Sequence, residues 1–200
     1  TGDANITLTG DNQTGAANDL IFFGASTKTI GGATATGDIT LVGDTIAFDT
    51  LGASGLAVQT SGTVSFTPKT STTTIGLGGG AGTLNVGDTE LGFFSGMSKL
   101  VIGDSVAGSG AVDIDTWDLS AATYDVEVYG GSVAFSGGAQ LLGAGDFLVG
   151  DPTGDLTLTG TITKTAGTDS TFIGRAAGSF VADTLVVDAT ASGNGLNFIL

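Results

Sequence analysis

An all-β protein wound as a right-handed parallel β-helix, a β-solenoid, is the fold this sequence predicts, and three observations predict it. Apolar residues come in short alternating bursts of about four to six, each closed by Gly, Asp, Asn or Ser, the period-two signature of a strand followed by a turn. Residues that favour helix are scarce, with two Glu and four Lys among 200 residues, whereas Thr, Val, Ile and Phe recur. Hairpin dipeptides are nearly missing: Asn-Gly occurs once, at Asn194-Gly195, and Asp-Gly never, while the inverted pair Gly-Asp recurs at strand edges. One turn chemistry repeated at many edges suits a coil in which each turn stacks on its predecessor. Coils of about 20 residues, rising about 4.8 Å each, would number about ten and reach about 50 Å. An antiparallel β-sandwich is the alternative for so many short strands.

The bursts follow one another from the amino end. "NITLTG" from Asn5 and "LIFFG" from Leu20 come first, then "DITLVGDTIAFD" from Asp38, two strands split by Gly43-Asp44. "LAVQT" from Leu56, "TVSFTP" from Thr63, "TLNVGD" from Thr83 and "KLVIGD" from Lys99 continue the pattern. "AVDID" from Ala111, "YDVEVYGGSVAFSG" from Tyr124, "DFLVGD" from Asp146 and "DLTLTGTITKT" from Asp155 lead to "TFIGR", "TLVVDA" and "LNFIL" near the end. Only "DTELGFFSGM" (Asp88–Met97) departs from alternation, and it reads as a helical turn.

Composition removes whole classes of function. The formal charge is −15, from 20 acidic and 5 basic residues, so the field repels phosphodiesters and anionic lipid heads, and nucleic-acid binding is not expected. The absence of His and Cys rules out zinc sites of the usual kind, disulfides and His-dependent acid–base chemistry. No run of 18 apolar residues and no basic n-region at Thr1 occurs, so neither membrane insertion nor a signal peptide is expected. Both ends fall within the repeating pattern, so residues 1–200 read as one solenoid segment excerpted from a longer repeat protein.

The glycine run "TIGLGGGAGTLNV" (Thr74–Val86) satisfies G-x-G-x-x-G/A at Gly76, Gly78 and Ala81. A dinucleotide site needs a helix next, and a strand pattern follows; a phosphate-binding P-loop needs Gly-Lys-Ser/Thr, which is missing. A calcium-binding nonapeptide repeat also fails, with Leu84 and Asn85 where its aspartate should fall. The run is expected to be a tight corner between two coil faces, with φ positive.

Four carboxylates are the candidate site. "VDIDTWD" places Asp113 and Asp115 two apart on a strand, both outward and about 7 Å apart. With Trp117 beside them they resemble the acids and stacking platform of an inverting glycosidase, whose carboxyls are separated by about this distance. "YDVEV" repeats the pattern with Asp125 and Glu127. Val112 and Val126 are 14 residues apart, less than a coil, so the two pairs are expected on different faces, as a solvated acidic surface. No cofactor is expected; Ca²⁺ bound weakly by Asp113, Asp115, Asp125 and Glu127 is the metal the chemistry allows, although no EF-hand spacing occurs. The alternating Thr157, Thr159, Thr161, Thr163 and Thr165 form a hydroxyl row of the kind ice-binding solenoids use, though threonine is also an ordinary exposed strand residue. Phe22, Phe23, Phe48, Phe66, Phe93, Phe94, Phe135, Phe147, Phe172, Phe180 and Phe198 read as core stacks, with Phe93-Phe94 the pair expected to be exposed. Arg175, a cation among anions, is expected in a local ion pair.

The segment Thr73–Ile114 and the later "GTITKTAGTDSTF" (Gly160–Phe172) resemble the low-complexity β-helical repeats of large bacterial exoproteins of the filamentous-haemagglutinin type, exported by two-partner secretion. The resemblance runs from Thr73 to Leu200; the first third shares texture only. It implies an extracellular or cell-surface shaft, adhesive or structural, with no catalytic residues to carry over. Its expected partners are neighbouring coils, copies of itself docked head to tail, or glycans on a host or cell surface. The alternatives are a polysaccharide-acting enzyme and an ice- or Ca²⁺-binding solenoid.

Overall fold

The computed structural model describes residues 2–10, 20–23, 28–48, 56–140, 143–164, 169–188 and 196–199. Alternating segments become short strands, met in chain order as β1 (Ile6–Thr9), β2 (Leu20–Phe23), β3 (Lys28–Gly31), β4 (Ile39–Val42), β5 (Thr45–Phe48) and β6 (Leu56–Gln59). Then come β7 (Thr63–Thr67), β8 (Ile75–Leu77), β9 (Leu84–Val86), the helical turn α1 (Asp88–Leu91), β10 (Phe94–Ser95), β11 (Lys99–Ile102) and β12 (Ala111–Ile114). The chain ends with β13 (Asp125–Tyr129), β14 (Ser132–Gln140), β15 (Phe147–Asp151), β16 (Leu156–Thr163), β17 (Ser170–Ala176), β18 (Phe180–Asp188) and β19 (Leu196–Ile199). The one helical turn among the described residues falls where the alternation lapses, and its Glu90 carboxylate accepts a hydrogen bond from the Gly87 N–H at 3.0 Å.

The protein is all-β, and every strand pairing among the described residues is parallel, which the antiparallel sandwich does not allow. The largest sheet has the order β1-β4-β7-β11-β13-β15-β17-β19, so the chain returns to it in strict sequence. A six-stranded sheet runs β18-β16-β14-β12-β8-β9, a three-stranded one β10-β6-β3, and β2 pairs with β5. In the eight-stranded sheet Ile6 faces Ile39, then Val64, Leu100, Val126, Phe147, Phe172 and Phe198 in turn, at steps of 33, 25, 36, 26, 21, 25 and 26 residues. Every return is longer than the 20 residues expected, because loops are inserted between strands whose register is kept. Among the described residues this sheet has eight strands, and their seven steps span about 34 Å.

The register column is also the core. Ile39, Val64, Leu100, Val126, Phe147 and Phe172 are buried, as are Leu41, Phe66, Ile102, Val128 and Val149 two residues further along each strand. Phe147 and Phe172 stack with ring centres 5.9 Å apart and planes at 11°; Phe135 meets Phe172, and Trp117 meets Phe147, edge to face. Phe93-Phe94 is not the exposed pair expected: Phe94 is buried with its ring 5.2 Å from that of Phe66, and Phe93 is half-buried against the core, as is Phe180. Position in a loop did not keep these rings in water because the loop folds back as β10 onto β6. Thr165, Asp11, Asn194, Gly195 and the side chains of Phe22, Phe23, Phe48 and Phe198 lie outside the described residues.

The glycine run is a connection, as its context indicates, but not a corner between faces. β8 and β9 are parallel neighbours in one sheet, with Ile75 opposite Leu84 and Leu77 opposite Val86, so residues 78–83 must carry the chain out and back. Parallel pairs ordinarily need a crossover of about a dozen residues or more. Glycine makes the short return possible. A Cβ on Gly76 would strike the Gly80 carbonyl, one on Gly80 the Asp113 carbonyl, and one on Gly82 the backbone of Ile75 and Gly76. Gly78 holds φ at +72°.

Candidate functional site

The four candidate carboxylates fall on two sheets: Asp113 on β12 of the six-stranded one, with Asp115 just beyond, and Asp125 and Glu127 on β13 of the eight-stranded one. The structure therefore separates the pairs, as the 14-residue spacing indicates, and forms no joint cleft. Three of the four acids make hydrogen bonds to nearby groups. Asp113 accepts hydrogen bonds from the Ser136 hydroxyl at 2.6 Å and the Ala81 N–H at 2.9 Å. Asp115 lays its carboxylate where a side chain on Gly137 would sit. Asp125 accepts from the Asp146 N–H at 3.0 Å. Glu127 meets the Lys99 ammonium at 2.7 Å and accepts from the Tyr129 hydroxyl at 2.9 Å. Trp117 is no stacking platform; its ring is fully buried, and its Nε1 has no hydrogen-bond partner among the described residues. Among the described residues no three acidic side chains converge as a metal site would require. Arg175 is exposed and makes no ion pair among the described residues; its charge is felt by the Tyr129 phenol.

What the acids do is bind the next strand. Asn5 accepts from the Asp38 N–H at 2.8 Å, Asp38 from the Thr63 N–H at 2.8 Å, Asp125 from Asp146, and Asp146 from the Thr171 N–H at 2.8 Å. These residues form one register column, just ahead of the buried apolar column of the eight-stranded sheet. On the other large sheet Asp155 accepts from the Ser179 N–H at 2.6 Å. A carboxylate or amide oxygen thus takes the N–H that a strand start would otherwise leave open.

Two environments that single-residue reading missed shift carboxyl pKa values. Asp44, buried between β4 and β5, accepts from the Thr70 N–H at 2.8 Å and the Thr70 and Thr73 hydroxyls at 2.7 Å. Burial works to raise its pKa, but these bonds, with one from the Lys69 backbone, outweigh it and hold the group below the usual carboxylate range. The second is a hollow of about 230 Å³ lined by Asp88, Leu91, Asp118, Leu119, Ala122 and Tyr124 among others. Burial, with the charges of Asp118 and Glu90, pushes Asp88 up against a hydrogen bond from the Asp118 backbone; bonds from Ser120 hold Asp118 down. Burial and the Asp88 charge raise the Tyr124 phenol. Among the described residues no cation lines this hollow, so its carboxylates repel one another.

The row Thr157, Thr159, Thr161 and Thr163 is half-exposed on β16 but one strand deep: Ser132 and Val181 flank Thr157, and Val186 lies beside Thr161.

The architecture and its acid-to-backbone bonds define the class, an all-β protein of parallel sheets. Compared with protein-family models, curated proteins and solved structures, the chain matches none.

Proposed function

We propose that the chain is a stretch of right-handed β-solenoid and serves as the structural or adhesive shaft of an exported bacterial protein. The observation that carries this reading is the eight-stranded parallel sheet visited in strict chain order, each strand templating the next. Side chains that would serve a catalytic cleft, Asp113, Asp125 and Glu127, instead bond to neighbouring segments, which supports a scaffold over a glycan-cleaving enzyme. The exoprotein-like texture of Thr73–Leu200 supports export, and the acidic surface supports contact with glycans or cell surfaces rather than nucleic acid. An antibody raised to this chain, applied to surface, secreted and cytosolic fractions of the producing cell, tests the reading. Signal in the surface or secreted fraction is the expected result; signal confined to the cytosol overturns it.

A further inference from the structure

We infer that the outer face of β1, β4 and β7 binds ice, through a flat array of hydroxyl and methyl groups built from Thr7, Thr9, Thr40, Val42, Ser65 and Thr67. The inference stands apart from the shaft reading, and it concerns a different sheet from the one that carries the threonine row on β16. Register sets the array. Thr7 stands opposite Thr40 and Thr40 opposite Ser65, while Thr9 stands opposite Val42 and Val42 opposite Thr67. On their strands these six alternate with the buried Ile39, Leu41, Val64 and Phe66 and the half-buried Ile6 and Leu8, so they face away from the core. Each is exposed or half-exposed.

Sheet geometry makes the array a lattice. Neighbouring strands lie about 4.8 Å apart and alternate residues on one strand about 6.7 Å apart, so the six side chains mark a regular grid. The pairings of β1 with β4 and of β4 with β7 keep one register throughout, whereas β16 has register shifts against both of its neighbours. The grid is stiff from below, where Ile39, Leu41, Val64 and Phe66 are at most 1% exposed. It is stiff in its own side chains too, because Thr and Val are branched at Cβ and held at χ1. Val42 keeps the shape of a threonine, with a methyl in place of the hydroxyl.

Chemistry selects the occupant. The hydroxyls of Thr7, Thr9, Thr40, Ser65 and Thr67 make no hydrogen bond to another described residue, so each is open to water as donor and as acceptor. No charged residue stands within the grid, and the next strand continues one of its columns with Val101 opposite Ser65. With no aromatic ring and no large side chain, the face has neither the anchor of a protein interface nor the walls of a small-molecule site. An occupant that itself repeats in two dimensions can meet all six positions at once. Ice does so: its water molecules offer donors and acceptors in a fixed pattern, and it carries no charge for the −15 of the chain to repel. The methyl groups between the hydroxyls restrict the water that lies over them.

Slow freezing of a dilute solution of the chain tests this, with its concentration measured in the ice and in the remaining liquid. A protein without affinity is left in the liquid; this chain is expected to enter the ice. Thr40→Tyr, at the centre of the grid, should lower that partition about tenfold, because one oversized side chain holds the lattice off the surface. Ser65→Tyr should act alike, and Thr159→Tyr, on the β16 row, should change nothing. All three positions are half-exposed, and an unaltered β-sheet circular dichroism spectrum shows that each variant has folded. Exclusion of the folded, unsubstituted chain from ice overturns the inference and leaves the shaft reading standing. Undiminished partition of folded Thr40→Tyr and Ser65→Tyr overturns the location, as does a loss confined to Thr159→Tyr. Cytosolic location of the native protein counts against the shaft alone.

Discussion

Asp44 shows how a single buried carboxylate can fasten two passes of the chain. Its three bonds from Thr70 and Thr73 join the start of β5 to the loop ahead of β8. Truncation in Asp44→Ala would leave these donors unmet in a buried site, and a loss of about 3 kcal/mol in urea unfolding is the expected result. Its pKa is depressed in the folded state, so the stability it contributes is complete above the unfolded value, near 3.8, and is lost as pH falls through the lower folded value. Acid unfolding of an Asp44→Asn variant should accordingly depend less on pH in that range. Tyr129 behaves oppositely. Burial first, then the hydrogen bond to Glu127 and that group's charge, push its phenol up to about 12 despite Arg175 nearby. Tyr124 is raised too, and the chain has two tyrosines, so phenolate absorbance should stay low at pH 10 and rise only above it. Glu127→Gln should bring part of that rise to lower pH. Because the folded state holds these protons more tightly, stability should fall as pH climbs past 10.

At the level of elements, the glycine return between β8 and β9 has little tolerance. Gly80→Ala would force a Cβ into the Asp113 carbonyl, and a loss of about 3 kcal/mol or more in thermal unfolding is expected. The side-chain column on the eight-stranded sheet is more forgiving. Asp38→Ala and Asp146→Ala should each cost about 1 kcal/mol, and the double variant about the sum, since the two bonds share no partner. Strand positions and their buried faces were legible in the sequence because alternation is local: β7, β11 and β13 bury the residues their patterns indicate. The partners of the acids were not. Asp113 reaches Ala81 and Ser136, 32 and 23 residues away, and the column from Asn5 to Thr171 is spaced by steps of 21 to 36, too irregular to be seen as a period. Phe93 and Phe94 were misplaced for the same reason, since β6, which pairs with β10, and Phe66, which meets the Phe94 ring, lie far back in the chain.

For the whole molecule, the parallel sheets set both folding and load bearing. Most contacts bring together residues distant in sequence, so folding should be slow for a chain of this length. Stability should be a sum of neighbouring-strand terms, which predicts partial unfolding from the outer strands before the centre. Hydrogen exchange offers a direct check: amides of β11, β13 and β15 should exchange more slowly than those of β1 and β19. The order of the eight-stranded sheet also has a mechanical reading. Its hydrogen bonds point from each strand to the next, along the direction in which the strands succeed one another. Tension in that direction meets the bonds between one pair of strands at a time, so the sheet yields stepwise at low force, like a seam opening from one end. A sideways pull along the strands loads many bonds together in shear and meets far greater resistance.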